Sequence, residues 1–445
     1  MPHPIPEPKA STSGSIAGRL AARRCARPLT RKAHHGSDAR ARANLGALHR
    51  GRAKLNRTDR DVRILFATGG VSASTILSFF ALWLAERGLE ADRIGIVLAL
   101  ASLAGVITSP LWGHVADTRL GPARTLRISS IATGAAALGF LLAGRSFWAL
   151  AVVAVLRGAS ESPGAPLTDS IALHALGSER ATSYGSYRMW GSLGWAVAIV
   201  GFGAWYERRG LGALPVLYAL GLLAFTVIVS RFPSERPDRP ERSRFGAVGD
   251  AFRGSTALRP FLVGLLVVGV ASSAAWSFVP LRISARGGGP FLIAVAASLA
   301  AIAEIPIFRA SAWLGERVSL RVLYATGAGI FVVASIVWAL ASNPTVIAGA
   351  NVLNGVGFGL RYAALVIIVG HLVPERLRAT GQSLMQTVVA WIGPILGAAA
   401  GGFVYRHLGS RALFAGSAVG VTIGIVMIWV ALSAPLFARP SARTA

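Results

Sequence analysis

The hydrophobic positions of this chain fall into long unbroken stretches, with the polar positions gathered in short clusters between them. A helix needs about 20 mainly apolar residues to cross a hydrocarbon core of roughly 30 Å. Broken at its Gly, Pro and Arg clusters, the chain yields twelve such stretches. The first six are Ile64–Ala85, Ile94–Val115, Ile128–Ala143, Phe147–Leu173, Tyr184–Tyr206 and Leu211–Phe232. The second six are Phe261–Ile283, Phe291–Leu314, Leu320–Ala341, Val346–Leu372, Ser383–Tyr405 and Leu413–Leu432. Between the two sets lies the one long polar stretch inside this region, Pro233 to Pro260. The pattern predicts an all-α membrane protein of twelve transmembrane helices in two six-helix bundles. The expected division is a basic tail over 1–62, a first bundle over 63–232, a linker over 233–259, a second bundle over 260–434 and a short tail over 435–445. The halves share a faint echo, Pro110-Leu-Trp-Gly113 against Pro306-Ile-Phe-Arg309, and parallel repeats of this kind are a transporter architecture.

Composition agrees with a lipid environment. Of 445 residues 53% are hydrophobic and 14% charged, against about 25% charged in soluble chains. The net charge of +26 would ordinarily point to nucleic acid or an anionic surface. Here it sits at the ends of apolar runs and in the first 62 residues, so a nucleic-acid partner is not expected. Lysine occurs only at Lys9, Lys32 and Lys54, and an arginine excess of that kind reads as base composition. The single cysteine, Cys25, excludes a disulfide scaffold, and no Cys/His cluster calls for a metal or other cofactor. The basic tail has no apolar core like that of a secretory signal. It reads as a disordered segment lying on anionic headgroups, or as the product of a mis-set translation start. The positive-inside rule puts Arg119, Arg124, Arg127, Arg231 to Arg259, Arg317, Arg321, Arg376 and Arg378 on the cytoplasmic side. Arg87, Arg93, Arg145, Arg208, Arg209, Arg282, Arg286, Arg406 and Arg411 fall opposite. Both termini are therefore expected in the cytoplasm, with the chain in the inner membrane as a monomer.

Ionisable groups inside membrane spans are costly, and each is a functional candidate. The fourth run carries Arg157 and Glu161, whose i,i+4 spacing places them on one face. Farther along it lies Asp169, for which Arg188 at the start of the fifth run is the natural partner, as a structural pin or a moving gate. Glu304, in the eighth run, has no opposite charge at i±3 or i±4, and a lone carboxyl in a low-dielectric site holds its proton to higher pH. The tenth run holds Asn351, Asn354 and Arg361, the last two seven residues apart on one face. Arg309 reads as a snorkelling side chain, and Trp276 in the seventh run as a ring for stacking or for packing.

Two stretches carry a resemblance. The loop Gly113-His-Val-Ala-Asp117-Thr-Arg119-Leu-Gly121-Pro-Ala-Arg124 resembles the loop 2–3 signature of the major facilitator superfamily, with one extra residue between Asp117 and Gly121. PLTDS (166–170), YGSYRMWGSLGW (184–195), AEIPIF (303–308) and LNGVGFGLRYAA (353–364) resemble the phenylpropionate permease branch, which is itself similar to nucleoside and lactose proton symporters. The likeness spans residues 63–432 and implies two bundles rocking about a midplane cavity lined by helices 1, 4, 7 and 10. It implies gating or structural roles for Asp117, Arg124, Asp169 and Arg188, and makes Glu161 and Arg188 positional candidates for substrate binding.

The combined expectation is a secondary active transporter for a small organic solute of the aromatic acid, sugar or nucleoside class. Arg157, Glu161, Trp276, Asn351, Asn354 and Arg361 are the substrate-binding candidates, and Glu304 and Glu161 the proton carriers. No Walker loop is present, so the partners are solute, protons and lipid, not ATP. Efflux in the same fold and a non-transporting membrane sensor or scaffold are the alternatives. No His/Asp/Glu cluster with catalytic spacing argues for an enzyme.

Overall fold

The computed structural model describes residues 57–180, 184–234, 252, 255, 257–374 and 377–433. The basic tail over 1–56, most of the polar linker and the last twelve residues lie outside them. The described residues form twelve helical rods. In the first half these are α1 (57–74, then Phe80–Glu86), α2 (Ala91–Val115), α3 (Pro122–Leu142), α4 (Phe147–Glu161, then Gly164–Arg180), α5 (Tyr184–Arg209) and α6 (Leu214–Val229). In the second half they are α7 (Leu258–Ser284), α8 (Pro290–Arg317), α9 (Leu320–Leu340) and α10 (Pro344–Gly349, then Asn351–Leu372). They end with α11 (Arg378–Gln386, running on through Gly393–His407) and α12 (Gly409–Ala431). Nine of these are long and apolar enough to cross a membrane on that criterion alone. The other three are α1 and α4, which are split, and α5, which opens on Tyr-Gly-Ser-Tyr-Arg. The third rod starts six residues before the expected Ile128, because its first turns carry Arg124 and Arg127 and hide from an apolar count.

Each irregularity has a local cause. Pro163 has no N–H for the carbonyl of Ala159, four residues back, and α4 parts there. That carbonyl instead accepts from Thr108 Oγ1 and Trp112 Nε1 of α2, each at 2.9 Å. In α1, hydroxyls compete with the backbone ladder. Ser74 donates to the Val71 carbonyl and Thr75 to the Ser72 carbonyl, both at 2.7 Å. Tyr206 of α5 then donates to the Thr75 carbonyl at 3.0 Å. The extra residue between Asp117 and Gly121 is absorbed as one π turn, Ala116–Leu120, closed by Gly121 N–H on the Ala116 carbonyl at 2.9 Å. Gly121 ends that turn at φ 74°, a conformation that favours glycine.

The two halves repeat one packing scheme. Gly158 of α4 lies so close to the Ala101 carbonyl of α2 that no Cβ fits, and Gly355 of α10 meets the Ala300 carbonyl of α8 in the same way. Small residues at such crossings let backbones approach where lipid supplies no hydrophobic drive. At the far end, opposite the α2–α3 turn, Arg87 after α1 donates to the Gly144 carbonyl beyond α3 at 3.2 Å. Near the end of α7, Arg282 donates to the carbonyls of Trp338, Ala339 and Ala341 at the end of α9.

The halves meet through α2 against α11 and α5 against α8. The contacts lie toward the far end. Gly95 abuts Ala398, Gly402 abuts Ala91, Gly203 abuts Ala294, and Ser298 Oγ donates to the Ala196 carbonyl at 3.0 Å. One apolar core spans both halves there, from Phe80, Trp83 and Phe140 to Phe278 and Trp338. Toward the end that holds the α2–α3 turn (the turn end), the first half keeps a separate core of its own, built on Leu65, Leu126, Ile171, Tyr187 and Phe225. Ile107 and Leu111 of α2, Leu193 of α5 and Phe308 of α8 are exposed on that side. The molecule is closed at the far end and parted at the turn end.

Candidate functional site

Two clusters of charge lie within the rods, one in each half. In the first half, Arg157 projects from the stretch of α4 just before its break. Its guanidinium sits over the Phe80 ring, 5.2 Å from the centroid, and pairs with Glu161 one turn on. Tyr218 of α6 donates to the other carboxylate oxygen of Glu161 at 2.8 Å. The arginine side chain is 13% exposed and the glutamate 42%, so the guanidinium is covered and the carboxylate edge is open. The carboxylate is held from both sides, while the buried Arg157 Nε has no hydrogen-bond partner among the described residues. Tyr218 was not anticipated from sequence, since one tyrosine in an apolar helix carries no signal.

In the second half the charges are placed differently. Glu304 on α8 makes no ion pair or hydrogen bond among the described residues, and Arg361 on α10 acts on it electrostatically without pairing. Arg361 rests over two rings, Phe331 of α9 at 5.1 Å and Phe358 of its own helix at 5.7 Å. One turn beyond Glu304, Phe308 stands edge-on to Phe358 and Tyr362, which stack on each other at 5.4 Å. Gln386 of α11 donates to the Tyr362 hydroxyl at 3.0 Å. A carboxyl, a guanidinium and a small aromatic wall thus share the α8–α10 contact, on the side where the halves part. The i,i+4 spacing of Phe358 and Tyr362 is the signal that would have revealed the wall.

The remaining candidates scatter. Asp169 and Arg188 do pair, at 3.0 Å, with Tyr184 accepting a second bond from Arg188 at 3.2 Å, near the turn end of α4 and α5. Trp276 of α7 is 45% exposed. Asn351 is buried, and its amide donates to the carbonyls of Ile347 and Ala348 on its own helix, where it serves the break in α10. Asn354 is likewise buried. Asp117 and Arg124 are exposed and make no ion pair among the described residues. In α1 and α7, Thr68 donates to the Ile64 carbonyl and Ser272 to the Val268 carbonyl, while the Ser72 hydroxyl is buried without a hydrogen-bond partner among the described residues. Arg282, expected at the exterior end of the seventh run, is 2% exposed. The described residues contain no group of three or more His, Cys, Asp or Glu placed to hold a metal.

Comparison with known proteins agrees with this architecture. The model described as the MFS_1 like family matches residues 65–416. The maltose permease of Geobacillus stearothermophilus is 27% identical over 353 residues, which is 77% of this chain and 86% of the permease. The probable 3-phenylpropionic acid transporter of Escherichia coli (strain K12) is 25% identical over 254 residues, 56% of this chain and 66% of that protein. The crystal structure of a mutant of the nucleoside transporter NupG superposes with a TM-score of 0.72 at 15% identity, covering 84% of this chain and 98% of that one.

Proposed function

The chain belongs to the MFS_1 like family and is a multi-pass membrane transporter, and on that premise we propose that it carries a small organic solute into the cell together with protons. The observation that carries this reading is that Glu304 and Arg361, which act on each other electrostatically, are both unpaired among the described residues. A carboxyl and a guanidinium left apart in a low-dielectric setting are costly, and the cost is offset if each has a partner that comes and goes. A proton on Glu304 leaves Arg361 free to hold an anionic group of the solute. Once Glu304 loses that proton, its carboxylate competes for the guanidinium and displaces the solute.

The wall of Phe308, Phe358 and Tyr362 offers ring faces to stack on. Within the aromatic acid, sugar and nucleoside classes, it favours a ring bearing an acid. The maltose and phenylpropionic acid relatives bracket that range. Arg157 and Glu161, already paired with each other, take the lesser part, with Trp276 available from α7. The positive-inside bias supports cytoplasmic termini in the inner membrane, so the parted end opens inward. Asp169 and Arg188 are then a gate pair at that mouth, and the carrier acts as a monomer.

The test is uptake into proteoliposomes under an imposed proton gradient, with aromatic carboxylates, maltose and nucleosides as solutes. Import with protons makes the external medium more alkaline as solute is added. Glu304→Gln should abolish gradient-driven accumulation, and Arg361→Gln should lose about tenfold in affinity for carboxylates, a charge-assisted bond of roughly 1.4 kcal/mol. External acidification on adding solute would establish efflux instead. Absence of any solute uptake or proton movement in the unaltered protein would leave a sensor or scaffold, and unaltered uptake in both variants would overturn the roles of Glu304 and Arg361.

A further inference from the structure

Two glutamines one turn apart on α11 reach two residues one turn apart on α10. Gln382 donates to the Val366 carbonyl at 2.8 Å, and Gln386 donates to the Tyr362 hydroxyl at 3.0 Å. The first bond fastens a side chain to backbone. The second joins two side chains that make no other hydrogen bond among the described residues. A primary amide holds two donors and an acceptor oxygen, and a phenol one donor and an acceptor. With the amide donating to the phenol, the amide oxygen and the phenol hydrogen stay unused. With the amide turned over, so that the phenol donates, an amide N–H and a phenol lone pair stay unused. Either way the pair presents one donor beside one acceptor.

Both members are held in place. Tyr362 stacks on Phe358 at 5.4 Å and meets Phe308 edge-on at 6.4 Å. Arg361 lies over the same Phe358 ring at 5.7 Å, so the guanidinium and the pair flank one ring. On α11, Pro394 has no N–H for the Ala390 carbonyl, and a π turn over Thr387–Ile392 follows directly on Gln386. Such turns recur at functional sites. The pair faces the opening between the halves: Gln386 and Phe308 are exposed, and Tyr362 acts electrostatically on Arg188 of α5 in the other half. Turned to lipid, its unused donor and acceptor would go unsatisfied.

We propose that Tyr362 and Gln386 form a subsite for a hydroxyl group of the solute, so that the carrier prefers a hydroxylated aromatic acid to the same acid without the hydroxyl. The acid is held by Arg361, the ring lies on the aromatic wall, and the ring hydroxyl meets the pair. A hydroxyl both donates and accepts, so it engages the free acceptor and the free donor together. A bare ring hydrogen in the same place displaces water and leaves both unpaired, and a site built to bond a hydroxyl disfavours the analogue that lacks one.

This inference rests on an acid-bearing ring being the solute, and the experiment separates the two. Calorimetric titration of the purified full-length protein compares 3-phenylpropionate with its 3-hydroxy and 4-hydroxy ring forms, at about pH 6.5, where the carboxyls are ionised and the phenols are not. One hydroxylated acid should bind the unaltered protein about tenfold more tightly than 3-phenylpropionate. Tyr362→Phe keeps the ring stack and should bring that ratio to about one, while 3-phenylpropionate itself binds within about twofold of its parent affinity, which also shows the variant folded. Gln386→Met should lower the ratio about threefold, and Gln382→Met, losing only a bond to backbone, should leave it unchanged. Arg361→Gln should weaken all three acids alike and keep the ratio. A ratio near one for both hydroxylated acids in the unaltered protein, or a ratio that survives Tyr362→Phe, overturns the subsite while acid binding stands. Failure of all three acids to bind the unaltered protein overturns the aromatic-acid reading, and the subsite with it.

Discussion

Arg282 shows how a basic side chain at the end of an apolar run can be misread. It lies near the far end of α7, yet the guanidinium turns inward. It donates to three carbonyls at the end of α9 and to Ser410 Oγ at 2.8 Å, tying α7, α9 and α12 together. The last carbonyls of a helix have no partner within it, and a cation there is favoured by the helix dipole as well. Arg282→Ala would strand those carbonyls in a dry setting. The expected loss is about 3 kcal/mol of stability, read as a fall of several degrees in the melting temperature of detergent-purified protein. Arg208→Ala, on an exposed neighbour at the same end, should leave the melting temperature within about one degree. The same reasoning separates Arg157 from Arg361. Both rest on rings, but the first has its counter-charge in place and the second does not.

At the level of elements, close backbone crossings set the geometry of each bundle. Gly158 against Ala101 fixes α4 on α2 and, with the bonds to the Ala159 carbonyl, sets the height at which Arg157 projects. A methyl at Gly158 would press on a carbonyl rather than on a flexible side chain. Gly158→Ala should therefore cost about 1–3 kcal/mol by overpacking. Gly201→Ala, where nothing lies within 4 Å on a mid-helix face of α5, should gain about 0.5–1 kcal/mol. Opposite signs in thermal melts would confirm that crossings, not helix propensity, control these rods. Twelve rods were legible in the sequence because lipid demands long apolar runs, and Glu304, Arg361, Arg157 and Glu161 were legible because charge is rare within them. The breaks were not. Pro163 is visible, but not that Thr108 and Trp112 would take the carbonyl it frees. Asn351 looks like a ligand for solute until its own helix is seen to break beside it. Tyr218 was hidden for the opposite reason, since a tyrosine passes as one more apolar residue until its hydroxyl is located.

For the whole molecule, the question is what holds the far end shut while the turn end stands open. Packed glycines on α2, α5 and α11 supply a dry contact, and charge at the rim adds a bias. Glu90 before α2 pairs with Arg406 of α11 at 2.7 Å across the two halves. Glu207, at the end of α5, accepts from the Phe291 N–H at 3.0 Å. Pro290 has no N–H, so Phe291 supplies the first free donor of α8, and the carboxylate also meets the positive end of that helix dipole. Both rim pairs exist only while the far end is closed. An exposed pair contributes at most about 1 kcal/mol, so reversing one should shift the balance between the two facings by roughly fivefold without unfolding either half. Arg406→Glu sets two carboxylates face to face and should populate the opposite facing. Adding Glu90→Arg restores attraction and should return the balance. With Cys25 replaced by serine and spin labels at Trp148 and Leu408, exposed far-end sites in opposite halves, the single variant should show a longer distance component that the double variant loses. Glu207→Gln keeps the hydrogen bond but drops the charge, and should give a smaller shift in the same direction. Were all three variants to keep the parent distance distribution, the dry glycine contacts alone would hold the closure, and the rim charges would have no part in the alternation.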